Sequence, residues 1–170
     1  ENKVAKMEAG AIDHVALNVK DIEEIYDVRI LLESYAIKNS VKTLTSKNIQ
    51  ELMETLQLLV KYYEKNDLTH YIEVDTQLHQ YIINLGGNSL IVDTYRRIYS
   101  QSQQFRIYSL TTQRRFDDSV TEHRSIVENI CSGNWKEADR VNKIHLALAR
   151  EEIIQHFESK KAVEEEQENE

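Results

Sequence analysis

The absence of proline from all 170 residues constrains this chain more than any motif in it. Proline breaks helices and marks turns, and glycine supplies the backbone freedom of tight hairpins; only Gly10, Gly86, Gly87 and Gly133 are present. Such a chain is expected to form long uninterrupted elements joined by short turns. Alanine, leucine, glutamate, lysine and glutamine are plentiful, and these residues favour helix. The length suits one domain with a sizeable core. The expected fold class is therefore all-α.

Apolar residues recurring at the 3.6-residue period divide the chain into six helices. Asp21 is read as the cap of a first helix carrying Ile22, Ile25, Tyr26, Leu32 and Ala36. A second begins near Ser46 with Ile49, Leu52, Leu56, Leu59 and Val60, and Asp67 caps a third with Tyr71, Leu78 and Ile82. That helix stops at Gly86-Gly87, where glycine can adopt the left-handed conformation. A fourth runs from about Ser89 through Tyr95 and Ile98 to Phe105, and a fifth from about Thr112 to Cys131. Asn134 and Glu137 resemble a capping box opening a sixth helix, whose stripe is read as Val141, Ile144 and Leu148. Residues 1–20 are read as a linker, 21–158 as the domain, and 159–170 as an acidic disordered tail.

Charge and cysteine content narrow the function classes. The net charge is −8, with no basic stripe, so the chain is a poor candidate for gripping phosphate backbones by itself. No apolar run approaches the roughly 20 residues that span a membrane. Cys131 is the single cysteine, which excludes an internal disulfide and fits a cytoplasmic setting; its expected role is structural.

The informative residues are polar ones that fall in apolar stripes. Asp75 and His79 are four apart and share a helix face with Tyr71, Leu78 and Ile82. His123 is in phase with Phe116, Val120, Ile126, Val127 and Ile130, and His145 with Ala138, Val141 and Leu148. Arg29 falls among Ile25, Tyr26 and Leu32. Five ionisable groups thus point inward from four helices. Buried singly, each would cost several kcal/mol. A shared divalent ion relieves that cost, and three imidazoles with one carboxylate suit Zn²⁺ or Ni²⁺ at ~2.0–2.2 Å. The alternatives are an Asp75–His79 hydrogen bond and an ion pair of Arg29 with Glu33 or Asp75. His70 and His156 are read as surface residues, and His14 lies in the irregular opening stretch.

Three segments carry a family resemblance: DIEEIYDVRILLE, VDTQLHQYIINLGGN and EHRSIVENICSGNWKEADRVNKIHL. Together they resemble the FadR-type C-terminal (FCD) domain of GntR-family bacterial transcription regulators, over about residues 20–156. The resemblance implies an antiparallel bundle of six to seven helices that dimerises and binds a small carboxylate effector. It implies metal ligation by Asp75, His79, His123 and His145, and effector contact by Arg29. Arg106, near the stripe of the fourth helix, is a second candidate for that contact. DNA binding is expected of a separate winged helix-turn-helix domain, which these 170 residues do not supply.

A metalloenzyme acting on a small acid is the rival reading, and a structural metal in a dimerisation module is another. The sequence has no H-E-x-x-H, and no glutamate precedes a histidine by three residues as helical di-iron sites require. Glu122 adjoins His123 and is expected to point away from it. Sensor, with no enzymatic activity, is the preferred reading.

Overall fold

The computed structural model describes residues 18–168. They form six α-helices: α1 (Val19–Ser40), α2 (Ser46–Glu64), α3 (Leu68–Leu85), α4 (Ser89–Ser102), α5 (Gln113–Cys131) and α6 (Trp135–Glu168). A 3₁₀ segment, Gln103–Leu110, follows α4, and no strand occurs among the described residues. The all-α bundle expected from the periodicity is the fold observed. Most of the linker read at 1–20, with His14, lies outside the described residues, as do the last two residues of the chain.

Helix starts are fixed by side-chain caps, each satisfying backbone N–H groups that the first turn leaves unpaired. Asn18 caps α1 in a reciprocal box with Asp21, so Asp21 is the third helical residue instead of the cap itself. Thr45, Asp67, Asn88 and Thr112 cap α2 to α5. At the turn after α3 only Gly87 is left-handed, at φ +71°; Gly86 keeps helical angles. Gly86 is required for a different reason: a Cβ there would lie 2.7 Å from the Ala36 Cα on α1.

Three further differences from the sequence reading have local causes. The fourth helix does not reach Phe105 but ends at Ser102, because the 3₁₀ winding sends successive side chains to different places. Phe105 joins an apolar cluster with Ile22, Tyr26, Leu146 and Ile153, whereas Ile107 and Leu110 join the main core around Leu52, Leu78 and Ile126. On α6 the inward positions are Ala138, Asn142, His145, Leu146, Ala149 and Ile153, leaving Ile144 44% exposed. Asn142 is selected over its apolar neighbours because it donates to a buried carboxylate, Glu33. The stretch expected as a disordered tail continues α6 as far as Glu168; Ala, Glu, Lys and Gln extend a nucleated helix without needing core contacts.

Chain direction follows from the cross-contacts. Glu33 meets Asn142 and Asp27 meets Arg150, so α1 and α6 are antiparallel. Glu33 meets His79 and Ala36 meets Gly86, so α1 and α3 are parallel. Between the two apolar clusters, α1 contributes Arg29 and Glu33, and α6 contributes Asn142 and His145. The interior therefore contains a polar layer, and the functional candidates lie in it. None of the described helices is long and apolar enough to cross a membrane.

Candidate metal centre

One carboxylate and three imidazoles from three helices converge in that layer. Asp75 and His79 come from α3, His123 from α5 and His145 from α6. All four residues are buried, and their potential donor atoms lie within 4.8 Å of one another. Asp75 Oδ1 is 2.6 Å from His123 Nε2 and 3.3 Å from His79 Nε2. The latter two nitrogens are 3.3 Å apart, and the His145 ring stacks on His79 at 5.4 Å between centroids.

The far side of every ring is occupied. His79 Nδ1 is 2.8 Å from Glu33 Oε2, and His145 Nδ1 is 2.6 Å from Glu122 Oε2. His123 Nδ1 faces two hydroxyls, Tyr71 at 3.1 Å and Ser119 at 3.3 Å. The Nε2 atoms are left for the centre. Asp75 Oδ1 accepts no hydrogen bond of acceptable geometry despite its close neighbours. Lone pairs facing one another at such distances repel unless a proton or a metal cation lies between them. The orphaned oxygen and the Nε2 atoms around it are a donor set that fits a divalent ion once those nitrogens are deprotonated.

Three arginines balance three carboxylates around the centre. Arg106 Nη2 donates to Asp75 Oδ2 at 3.0 Å, and its Nη1 donates to Thr76 Oγ1 at 2.6 Å. Arg29 donates to Glu33 Oε1 through both Nε and Nη2, at 3.1 and 3.0 Å. Arg115 holds Glu122 bidentately at 2.9 and 3.1 Å. Burial opposes ionisation of Asp75, but Arg106 and His123 hold it well below the usual carboxylate range. Glu33 is likewise lowered, as His79 and Arg29 overcome its burial. Burial and the His123 charge push His145 down to about 4, whereas Glu33 and Asp75 overcome burial at His79 and raise it.

The sequence reading brought Asp75, His79, His123, His145, Arg29 and Arg106 to attention, and all six are buried in or beside this layer. Arg29 takes the ion pair with Glu33, one of the alternatives weighed for it. Arg106 touches the cluster directly through Asp75. It also forms part of a surface groove of about 330 Å³ lined by Ile72, Glu73, Thr76, Gln77, Tyr99 and Gln103.

Sequence reasoning missed Glu33, Arg115, Tyr71, Ser119 and Asn142 as supports. Glu122, expected to point away from His123, faces α6 and reaches His145, a contact the sequence reading did not foresee; neighbours on a helix point about 100° apart, and His123 faces α3. The available signal was spacing, since Glu33 follows Arg29 by four residues and Ser119 precedes His123 by four. His156, read as a surface residue, is half-buried and stacks on Tyr108 at 4.1 Å.

Comparison with known proteins gives a consistent result. The sequence model of the FCD domain matches residues 24–148. A Bacillus subtilis protein named as an uncharacterized HTH-type transcriptional regulator, YdhC, is 24% identical over 143 residues, 84% of this chain and 59% of that protein. The gluconate operon transcriptional repressor of the same species is 24% identical over 130 residues, 75% of this chain and 51% of the repressor. The chain thus spans between half and three-fifths of the length of these curated relatives. Two solved structures, the metal-free and the Zn²⁺-bound FCD domain of TM0439, superpose with TM-scores of 0.73 and 0.67, each at 25% identity. They cover 85% and 84% of this chain, and 99% and 98% of their own.

Proposed function

The chain belongs to the FCD domain family, and from that premise we propose that it is the metal-dependent effector sensor of a GntR-family transcription regulator. Asp75, His79, His123 and His145 hold one divalent ion, Zn²⁺ or Ni²⁺. The observation that carries this reading is the buried Asp75 Oδ1, which lacks a hydrogen-bond donor and is ringed by imidazole nitrogens. A bound ion supplies an electropositive centre whose coordination can extend beyond the four protein donors.

The surrounding charges then select the effector. Each carboxylate of the layer already has its arginine, so the charge of a divalent ion is not cancelled by the protein. A small carboxylate answers that excess, and an ion's other ligands plus an arginine fork can orient it. Arg106 is the contact we assign to it, because its guanidinium already spans from Asp75 to the groove. Arg29 was the sequence's first candidate; its Nε and Nη2 are committed to Glu33, and its Nη1 takes no part in those bonds and is the second contact we assign. One relative represses a gluconate operon, so sugar acids belong in the first panel tested.

Effector contact at Asp75 and Arg106 joins α3 to the 3₁₀ segment, and the histidines join both to α5 and α6. Tightening this layer shifts the packing of a homodimer and so the placement of two separate winged helix-turn-helix domains on DNA.

The test combines elemental analysis with thermal unfolding. About one metal per chain is expected, lost on His123→Ala, with a further rise in melting temperature from one acid that disappears in Arg106→Ala. Metal content below about 0.1 per chain after supplying Zn²⁺, Ni²⁺ and Mn²⁺ would sink the reading. Stabilisation by metal with no response to any acid would leave a structural ion instead.

A further inference from the structure

Two carboxylates that take no part in the donor set are nevertheless bonded to its imidazoles. We infer that Glu33 and Glu122 are positioning residues that lock His79 and His145 as Nδ1–H tautomers with Nε2 aimed at the metal, with Arg29 and Arg115 as the counter-charges that keep them ionised. The inference rests on the metal-binding reading above.

The hydrogen inventory around Glu33 leaves little choice. Its Oε1 accepts from Arg29 Nε and Nη2 and from the Tyr95 hydroxyl at 2.9 Å. Its Oε2 accepts from Asn142 Nδ2 at 2.9 Å and faces His79 Nδ1 at 2.8 Å. An ionised carboxylate can only accept, so His79 Nδ1 must carry the hydrogen and its Nε2 offers a lone pair. Glu122 repeats the arrangement on the opposite side. Both of its oxygens accept from Arg115, and Oε2 also faces His145 Nδ1 at 2.6 Å.

Neither glutamate is within an isolated ion pair. Glu33 alone ties α1 to α3, α4 and α6 through His79, Tyr95 and Asn142. The third ligand is supported differently: His123 Nδ1 meets the Tyr71 and Ser119 hydroxyls, which can donate or accept and so leave its tautomer free to adjust. Carboxylate support also makes an imidazole a stronger donor to a metal. Two of the three nitrogen ligands are thus set by charge and one by adaptable hydroxyls.

Glu122→Gln keeps the side chain's volume and puts an amide where the carboxylate was. If its NH₂ faces His145, the ring must present Nδ1 as an acceptor and carry its hydrogen on Nε2, in the metal's place. Zn²⁺ affinity, read by competition with a chromophoric chelator, is expected to fall roughly 10–100-fold in Glu122→Gln and in Glu33→Gln. Glu137→Gln, which alters an exposed carboxylate paired with Arg140, should leave it unchanged.

Long-range ¹H–¹⁵N spectra of the zinc-loaded wild type supply a readout that a merely structural role would not move, and need no variant to fold. They should show the ring proton of both His79 and His145 on Nδ1. Zinc binding by the wild type with equal affinity in a folded Glu122→Gln, or an Nε2-bound proton on either ring, would overturn this inference and leave the metal site standing. Failure of the wild type to bind Zn²⁺, Ni²⁺ or Mn²⁺ would instead remove the reading on which it rests.

Discussion

Replacing Gly86 by alanine adds one methyl group at the point where α3 passes α1. Its φ of −65° suits alanine, and on backbone grounds alone the change would stabilise the protein by ~0.4–1 kcal/mol through the unfolded chain. The packing opposes this. The new Cβ would lie 2.7 Å from Ala36 Cα and 2.9 Å from Ala36 Cβ. Carbon atoms sit best at roughly 3.5–4.0 Å, so the helices would have to separate by about 0.8 Å or more. Ala36 Cα is backbone and cannot swing aside.

Overpacking of this kind costs about 1–3 kcal/mol, leaving a net loss on the order of 1 kcal/mol after the backbone contribution. For a chain of this length that lowers the melting temperature by roughly 2–4 °C. Glu33 lies one turn before Ala36 on the same helix, so the separation also stretches its bond to His79. Calorimetry of the metal-free protein measures the loss, and Ala36→Gly in the same chain should restore only part of it, because the clash with the α1 backbone remains. An alanine variant unfolding at or above the wild-type temperature would refute the close-approach argument. Gly87 is the contrasting position: a side chain there meets no clash, so the cost is backbone strain at φ +71°, and Gly87→Asn should destabilise less than Gly87→Ala.

Other outcomes follow from the same geometry. Arg106→Ala leaves Asp75 Oδ2 buried without its Nη2 partner and should destabilise the metal-free protein by about 3–5 kcal/mol in urea unfolding, a loss that shrinks when metal is supplied. Chelation of a saturated site should lower stability by ~2.7 kcal/mol if metal was present at a hundred times its dissociation constant; calorimetry with and without EDTA checks it. Burial and the nearby Glu128 push the Cys131 thiol above its ordinary value, so less thiolate is present at pH 8 and iodoacetamide should label it more slowly than a cysteine in an unstructured peptide. Equal labelling rates would show that the thiol is not shielded as the packing requires.

The lack of proline and the 3.6-residue pattern made the six helices legible in the sequence, because helix formation depends on local spacing and caps. Thr45, Asp67 and Thr112 stand where they do because a cap needs only the next three residues. The same local logic exposed Asp75, His79, His123 and His145, since a polar residue in an apolar stripe is visible without knowing the partner helix. Phase along a single helix could not show which side of a residue meets what. That is why Ile144 was expected inside and lies outside, and why the contact of Glu122 with His145 was not foreseen. Glu33 entered the sequence reading only as an alternative ion-pair partner of Arg29, four residues before it. Only the tertiary structure brings α3, α4 and α6 to it, and that enclosure turns a common helical spacing into a buried support. The sequence determined which residues could ligate a metal; the packing decided which way their nitrogens face, because a ring's orientation is set by what lies behind it.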